Sequence, residues 1–246
     1  MFRMIALSVF LVLGSLAVAT AEGPSRVTWQ PSYSGSCQDC NLIGQQMPYW
    51  DLTGAHYGGA NLSYASLNGA RANGAYFTGI TASHAHFSRA KLQNSHFENA
   101  ILDNAHLIGI DASGADFSGA TLDRADTREA KLIGANLSGA SAVHMLAAGT
   151  DFSAVNATGA IFDYATLRLA IFDGALLAGA TFVESDISGA TFRDARFAGA
   201  NLARAIGYDT ADFTGACGSP STLMPPGLSL PVCQDSVLAV RQSEAP

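Results

Sequence analysis

A beat of five residues runs through this chain and admits very few folds. From Cys40 to Asp209 the sequence divides, without a gap, into 34 consecutive five-residue units. The first residue of the unit is Ala in 24 of them, the third is Leu or Phe in 23, and the fifth is Gly in 17. The stretch Ala130-Lys131-Leu132-Ile133-Gly134 is typical. A period of five matches neither the 3.6 of a helix nor the 2 of a strand, so it describes a coil. Two apolar positions in five, always the same two, place those side chains in one continuous core. The second and fourth positions carry Asp, Asn, Thr, Ser, His, Arg and Lys and face water. Gly at the fifth position suits a tight turn that needs positive φ or close backbone approach.

A second regularity ties the two apolar positions together. Six units carry Ala at the third position: Ala72, Ala82, Ala112, Ala142, Ala147 and Ala157. Four of these have a larger aliphatic residue two places earlier, namely Ile80, Ile110, Met145 and Val155, and no other unit does. Volume lost at one inward site is restored at the other, as expected when both fill the same close-packed interior.

These units resemble those of the pentapeptide repeat family, whose consensus is Ala-(Asp/Asn)-Leu-x-x, over residues 40–216. The resemblance implies an all-β fold, a right-handed quadrilateral β-helix in which four units make one square coil. It then has eight to nine coils, and at about 4.8 Å per coil the rod is on the order of 40 Å long. A solenoid of this kind stacks its units over a shared core and needs a cap at each end. Met47, Tyr49 and Trp50, bulkier than the array, are expected to cover the first coil. After Ala205 the pattern resumes one residue late, at Ala211-Asp212-Phe213-Thr214-Gly215-Ala216, so the last coil should bulge. The stretch 218–231 is rich in Pro and Gly and cannot continue the coil.

Residues 1–21 read as a secretory signal peptide: Arg3, an apolar run from Ile5 to Ala19, then Ala19-Thr20-Ala21 as a small-x-small cleavage site. The run is short for a membrane span, which needs about 20 residues, so no span is expected after cleavage. Removing it changes the net charge of −7 to −8. The expected organisation is then a signal peptide at 1–21, an N-terminal cap segment at 22–39, the β-helix at 40–216, and a C-terminal cap and tail at 217–246. Export to the periplasm or beyond agrees with the four cysteines, which lie at or outside the ends of the array. Four cysteines allow three connectivities. The rod implied by the resemblance leaves only Cys37–Cys40 and Cys217–Cys233, because opposite ends lie beyond disulfide reach. A Cys-x-x-Cys pair can also serve redox or metal chemistry, but no second ligand pair accompanies this one.

Residues twenty apart should stack on one face. His86, His106 and Asp126 then form a column that could bind a transition metal or respond to pH, with His84 at the adjoining corner. His96 falls between Tyr76 and Asp116 in another. Such columns lack the convergent geometry of a tight site, so no metal or cofactor is expected. No arrangement of nucleophile, base and orienting residue is recognisable, and a solid convex rod offers no deep pocket, so an enzyme is not expected. The family resemblance raises DNA mimicry towards type II topoisomerases. Residues 40–209 carry 15 acidic and 10 basic residues, and Arg71, Lys91, Arg124, Arg128, Lys131, Arg168, Arg193 and Arg196 break any acidic stripe such as Asp103 with Asp123. That is a poor copy of a phosphate backbone, so no nucleic acid partner or topoisomerase mimicry is expected. The sequence reads as a monomeric, non-enzymatic bacterial envelope module for an unknown protein or cell-envelope partner.

Overall fold

The computed structural model describes residues 37–234. The signal segment at 1–21, the cap segment as far as residue 36, and the tail beyond 234 lie outside them. From Asn41 with Asn61 to Asp186 with Ile206, every second-position residue pairs in parallel with the residue twenty further on. Four such pairings follow one another per twenty residues, so the chain is a four-sided β-solenoid. The coils are bonded in both directions. The N–H of Leu52 donates to the carbonyl of Arg71 above (2.6 Å), and the N–H of Arg71 donates to the carbonyl of Trp50 below (2.8 Å). At each corner the next unit's first N–H turns back to the third-position carbonyl, as Ala55 does to Leu52 (2.9 Å). The repeat thereby satisfies its backbone within the stack.

The corners explain the glycines and go beyond them. Every fifth-position residue from Asp39 to Gly199 has φ between 54 and 69°; seventeen are Gly and sixteen are not. A non-glycine residue in this left-handed region costs roughly 1–2 kcal/mol. Large corner side chains lean over a glycine in the next coil. The Tyr49 ring lies 2.5 Å from where a Cβ of Gly69 would stand, and Leu169 2.8 Å from that of Gly189. Leu169 is 68% exposed with φ 57°. Leu169→Gly is therefore expected to raise stability in urea unfolding by about 1 kcal/mol, the strain relieved less glycine's entropy cost. A loss instead would mean that its contact over Gly189 outweighs the strain.

First and third positions line the core almost without exposure, including Ile80, Ile110, Met145 and Val155 with their Ala partners. Tyr57, Phe77, Phe97 and Phe117 stack up one wall at 4.8–5.7 Å, and Phe87 on the opposite wall meets Phe77 and Phe97 edge-on at 6.3 and 6.1 Å. Higher up the aromatic axis has turned by a quarter. Phe152, Phe172, Phe192 and Phe213 stack on an adjacent wall at 4.6–5.1 Å, with Phe162 and Phe182 opposite them. Leu122, Thr127, Leu132 and Leu137 fill the coil between. The polar first-position residues bond backbone carbonyls: Ser95 to Leu92 (2.5 Å), Thr150 to Thr127 (2.7 Å) and Ser185 to Phe182 (2.8 Å).

The ends differ in part from expectation. Met47 is buried and Trp50 packs against the core, but Tyr49 is 80% exposed, because it sits at a corner. These residues belong to a coil that is already regular. The ladder reaches back to Cys37, whose N–H donates to His56 (2.7 Å). At the other end the extra residue is absorbed by a short 3-10 turn, Tyr208–Thr210, entered through Gly207 at φ 73°. Pairing steps from twenty to Thr191 with Asp212, then to Asn201 with Leu223. Both disulfides are formed, Cys37–Cys40 and Cys217–Cys233.

Asp212 pins this last coil. Its carboxylate accepts the Thr214 hydroxyl (2.6 Å) and N–H (2.9 Å) and Arg193 Nε (2.7 Å). These bonds, Thr214 first and Arg193 after, pull its pKa down to about 2. A depressed carboxylate contributes stability that is complete above the ordinary value of about 4 and lost as pH falls towards the folded value. Hydrogen-exchange protection at the C-terminal coil, taken relative to the intrinsic rate at each pH, should fall between pH 4 and pH 2, and Asp212→Asn should flatten that dependence. Protection that stays equally pH-dependent in the variant would assign the effect elsewhere.

Candidate interaction faces

Most second-position Asp and Asn side chains are turned inwards to the corner rather than outwards to a partner. Asp51 Oδ1 accepts the Thr53 hydroxyl (2.7 Å), Asn61 Oδ1 that of Ser63 (2.7 Å), Asp151 Oδ1 that of Ser153 (2.5 Å), and Asn156 Oδ1 that of Thr158 (2.8 Å). These are Asx turns, and they explain why Asp or Asn precedes Ser or Thr by two places so often. A ladder also runs along one face, Asn136 Nδ2 donating to Asp116 (3.1 Å) and Asn156 Nδ2 to Asn136 (3.3 Å). Asp116 is held below the ordinary carboxylate range. Burial opposes that shift, but the bonds from Ser118 and Asn136 outweigh it. Fourth-position acids brace the coil above: Asp123 accepts the N–H of Val143 (3.0 Å), and Asp163 that of Val183 (2.9 Å). Negative charge is thus tied into the scaffold and does not stand out as a row.

The column His86, His106 and Asp126 is formed, each paired with the next. The two imidazoles stack at 4.5 Å and 1°. Asp126, 8% exposed, gives its carboxylate to Arg128, accepting Nε at 2.8 Å and Nη2 at 2.6 Å. Among the described residues no group of three or more His, Cys, Asp or Glu side chains is arranged to hold a metal ion. Burial and then the neighbouring His106 push the His86 pKa down. His96 lies between Tyr76 and Asp116, and the column extends to His56, with rings stacked at 4.3 and 4.5 Å. Glu98 accepts from Thr78 (2.7 Å) and lies 3.0 Å from His96 Nδ1. His56 was legible as the residue twenty before Tyr76.

Two shallow clefts flank the His86 face. One, of about 450 Å³, is lined by Arg124, His144, Leu146, Tyr164 and Thr166. The other, of about 370 Å³, is lined by Tyr49, Asn68, Gly69, Ser88, Arg89 and Ile108. His144 and Tyr164 stack at 5.0 Å. Asn68 Oδ1 is buried in the second cleft without a hydrogen-bond partner. Neither cleft follows from column reading alone, because each joins corner residues of neighbouring coils.

The family model described as pentapeptide repeats matches eight copies at residues 36–79, 83–119, 113–143 and 170–206. Among solved structures the chain is similar to HetL, a pentapeptide repeat protein involved in heterocyst differentiation regulation from the cyanobacterium Nostoc sp. strain PCC 7120. The two are 31% identical over 78% of this chain and 90% of HetL, with a TM-score of 0.38. A trypsin-treated form of QnrB1, a plasmid-mediated fluoroquinolone resistance protein, is 21% identical over 86% of this chain and 98% of its own, with a TM-score of 0.50. A pentapeptide repeat protein from the Arabidopsis thaliana thylakoid lumen is 25% identical over 55% of this chain and 77% of its own, with a TM-score of 0.21. No curated protein sequence matches the chain.

Proposed function

The chain belongs to the pentapeptide repeat family, and from that premise we propose that it is a non-enzymatic, rigid module of the bacterial envelope that presents flat faces to a partner. In this reading the solenoid is a right-handed quadrilateral β-helix of eight to nine coils, exported by the signal peptide at 1–21 and working as a monomer in the periplasm or outside the cell. The observation that carries the reading is the unbroken twenty-residue pairing from Asn41 to Ile206, which holds outward side chains in straight rows. A scaffold of this kind orders surface groups before any partner arrives, so little entropy is lost on docking. Both cysteine pairs, bonded at the ends, suit an oxidising compartment.

Cell fractionation and chemical cross-linking test this together. The chain should appear processed after Ala21 in the periplasm or medium, and cross-linking in envelope extract should join it to a discrete partner. A full-length chain retained in the cytoplasm would end the envelope reading and return topoisomerase mimicry to consideration.

A further inference from the structure

One face departs from the charge of the rest. Between Tyr64 and Leu169 the face of the His86 column, with its two corners, carries Arg89, Arg124, Arg128 and Arg168 against Asp126 and Glu129. It also holds four of the chain's six histidines, His84, His86, His106 and His144, on a protein of net charge −7. Arg128 is bound to Asp126 at 2.6 Å and Arg168 to Asp186 at 3.2 Å. Arg89 and Arg124 make no ion pair among the described residues, and each lines one of the two clefts. The clefts sit at opposite corners of this face, and their two arginines, 35 residues apart in the chain, stand less than two coils and so about 10 Å apart along the rod.

We propose that this face binds a linear anionic polysaccharide, with carboxylate-bearing sugars seated at Arg89 and Arg124. The proposal rests on the envelope-module reading and names its partner class. Guanidinium groups without a counter-ion fit carboxylates. Beside them stand groups that fit sugar hydroxyls: the Asn68 and Ser88 side chains in one cleft, Thr166 and the Tyr164 hydroxyl in the other. A polymer laid obliquely across the face, from one corner to the other, meets both clefts in turn. Nucleic acid fits less well, because bases need open ring faces and each stacked pair, His86 with His106 and His144 with Tyr164, closes one face of both its rings.

Histidine charges near pH 6.5, so acidification adds positive charge to this face. The carboxylates that face these histidines are Asp126 and Glu129 on the face, with Asp103, Asp123 and Asp163 round the corner. His86 is held below the ordinary value by burial and by His106.

The test is calorimetric titration of the purified chain with polygalacturonate, set against neutral dextran, oligothymidylate and phosphatidylglycerol vesicles. Polygalacturonate should bind, dextran should not, and binding should strengthen several-fold from pH 7.5 to 5.5 and weaken with salt. The double variant Arg89→Gln/Arg124→Gln should weaken it about tenfold or more, while Lys91→Gln/Lys131→Gln on the neighbouring face changes it less than about twofold. Equal losses in the two double variants would reduce the effect to net charge and overturn the proposal. Tighter binding of oligothymidylate or vesicles would overturn it as well. A chain that cross-links to an envelope protein but ignores polygalacturonate would refute this inference alone and leave the module reading standing.

Discussion

Phe172→Ala is expected to lower the stability of the rod by about 3–5 kcal/mol, the largest effect of any single substitution considered. The ring is fully buried, stacked on Phe152 at 4.6 Å and on Phe192 at 5.1 Å. It also receives the edges of Phe162 at 5.7 Å and Phe182 at 6.0 Å. Four aromatic neighbours from both directions of the stack cannot close over the space that an Ala leaves, since the coil spacing is fixed by the ladder. Phe172→Leu should cost far less, about 1.5 kcal/mol or below, because Leu already fills equivalent sites such as Leu132. Urea unfolding followed by circular dichroism reads both. An Ala variant that costs under about 1 kcal/mol would mean that the upper core is not close-packed.

The second large effect concerns the C-terminal end. Replacing Cys217 and Cys233 by Ser opens a loop with a sequence separation of 16, for which chain-entropy estimates give about 3 kcal/mol. The bond ties the coil at Cys217, paired with Arg196, to the closing segment, where Gly218 pairs with Val232. A solenoid holds each coil only through its neighbours, so the loss should begin at that end. Limited proteolysis should first cut between residues 217 and 234, while the coils below remain intact. The Cys37–Cys40 pair closes a separation of only 3, and its removal should cost less, about 2 kcal/mol on the same reasoning. Equal destabilisation by the two pairs, or cutting spread along the rod, would contradict a local cap.

The core was legible because its two positions never change place in the unit, and the exchange between Ile80 and Ala82 or Val155 and Ala157 reported a shared volume. What single units could not report is balance across the coil. Ala72 and Ala82 face each other on one axis while Phe77 and Phe87 fill the other, a relation visible only once residues ten apart are known to be opposite. The corners were legible as glycine sites at seventeen places. Arg89 and Leu169 gave no signal there, because the coil imposes the left-handed turn on whatever residue arrives. Outward columns such as His86 with His106 followed from the twenty-residue offset. The place of Asp126 above them followed too, but not the bonding of its carboxylate, which takes the turn partner Arg128 over the histidine beneath it. The Asp-x-Ser spacing was the available sign that second-position acids serve the turns.

The quarter turn of the aromatic axis between Phe117 and Phe152 has a consequence for how such a molecule can vary. In a square coil, sequence position encodes direction around the rod, and one unit is a step of ninety degrees. An insertion or deletion of five residues leaves every inward site filled yet rotates all that lies beyond it by one side. It would re-aim whole faces, bringing an arginine corner above a different column, at little cost to folding. Loss of twenty residues shortens the rod and changes no direction at all. The change of axis has the form that such a five-residue step leaves behind, and it marks the place where the two halves of this rod are keyed to each other like sections of a combination lock.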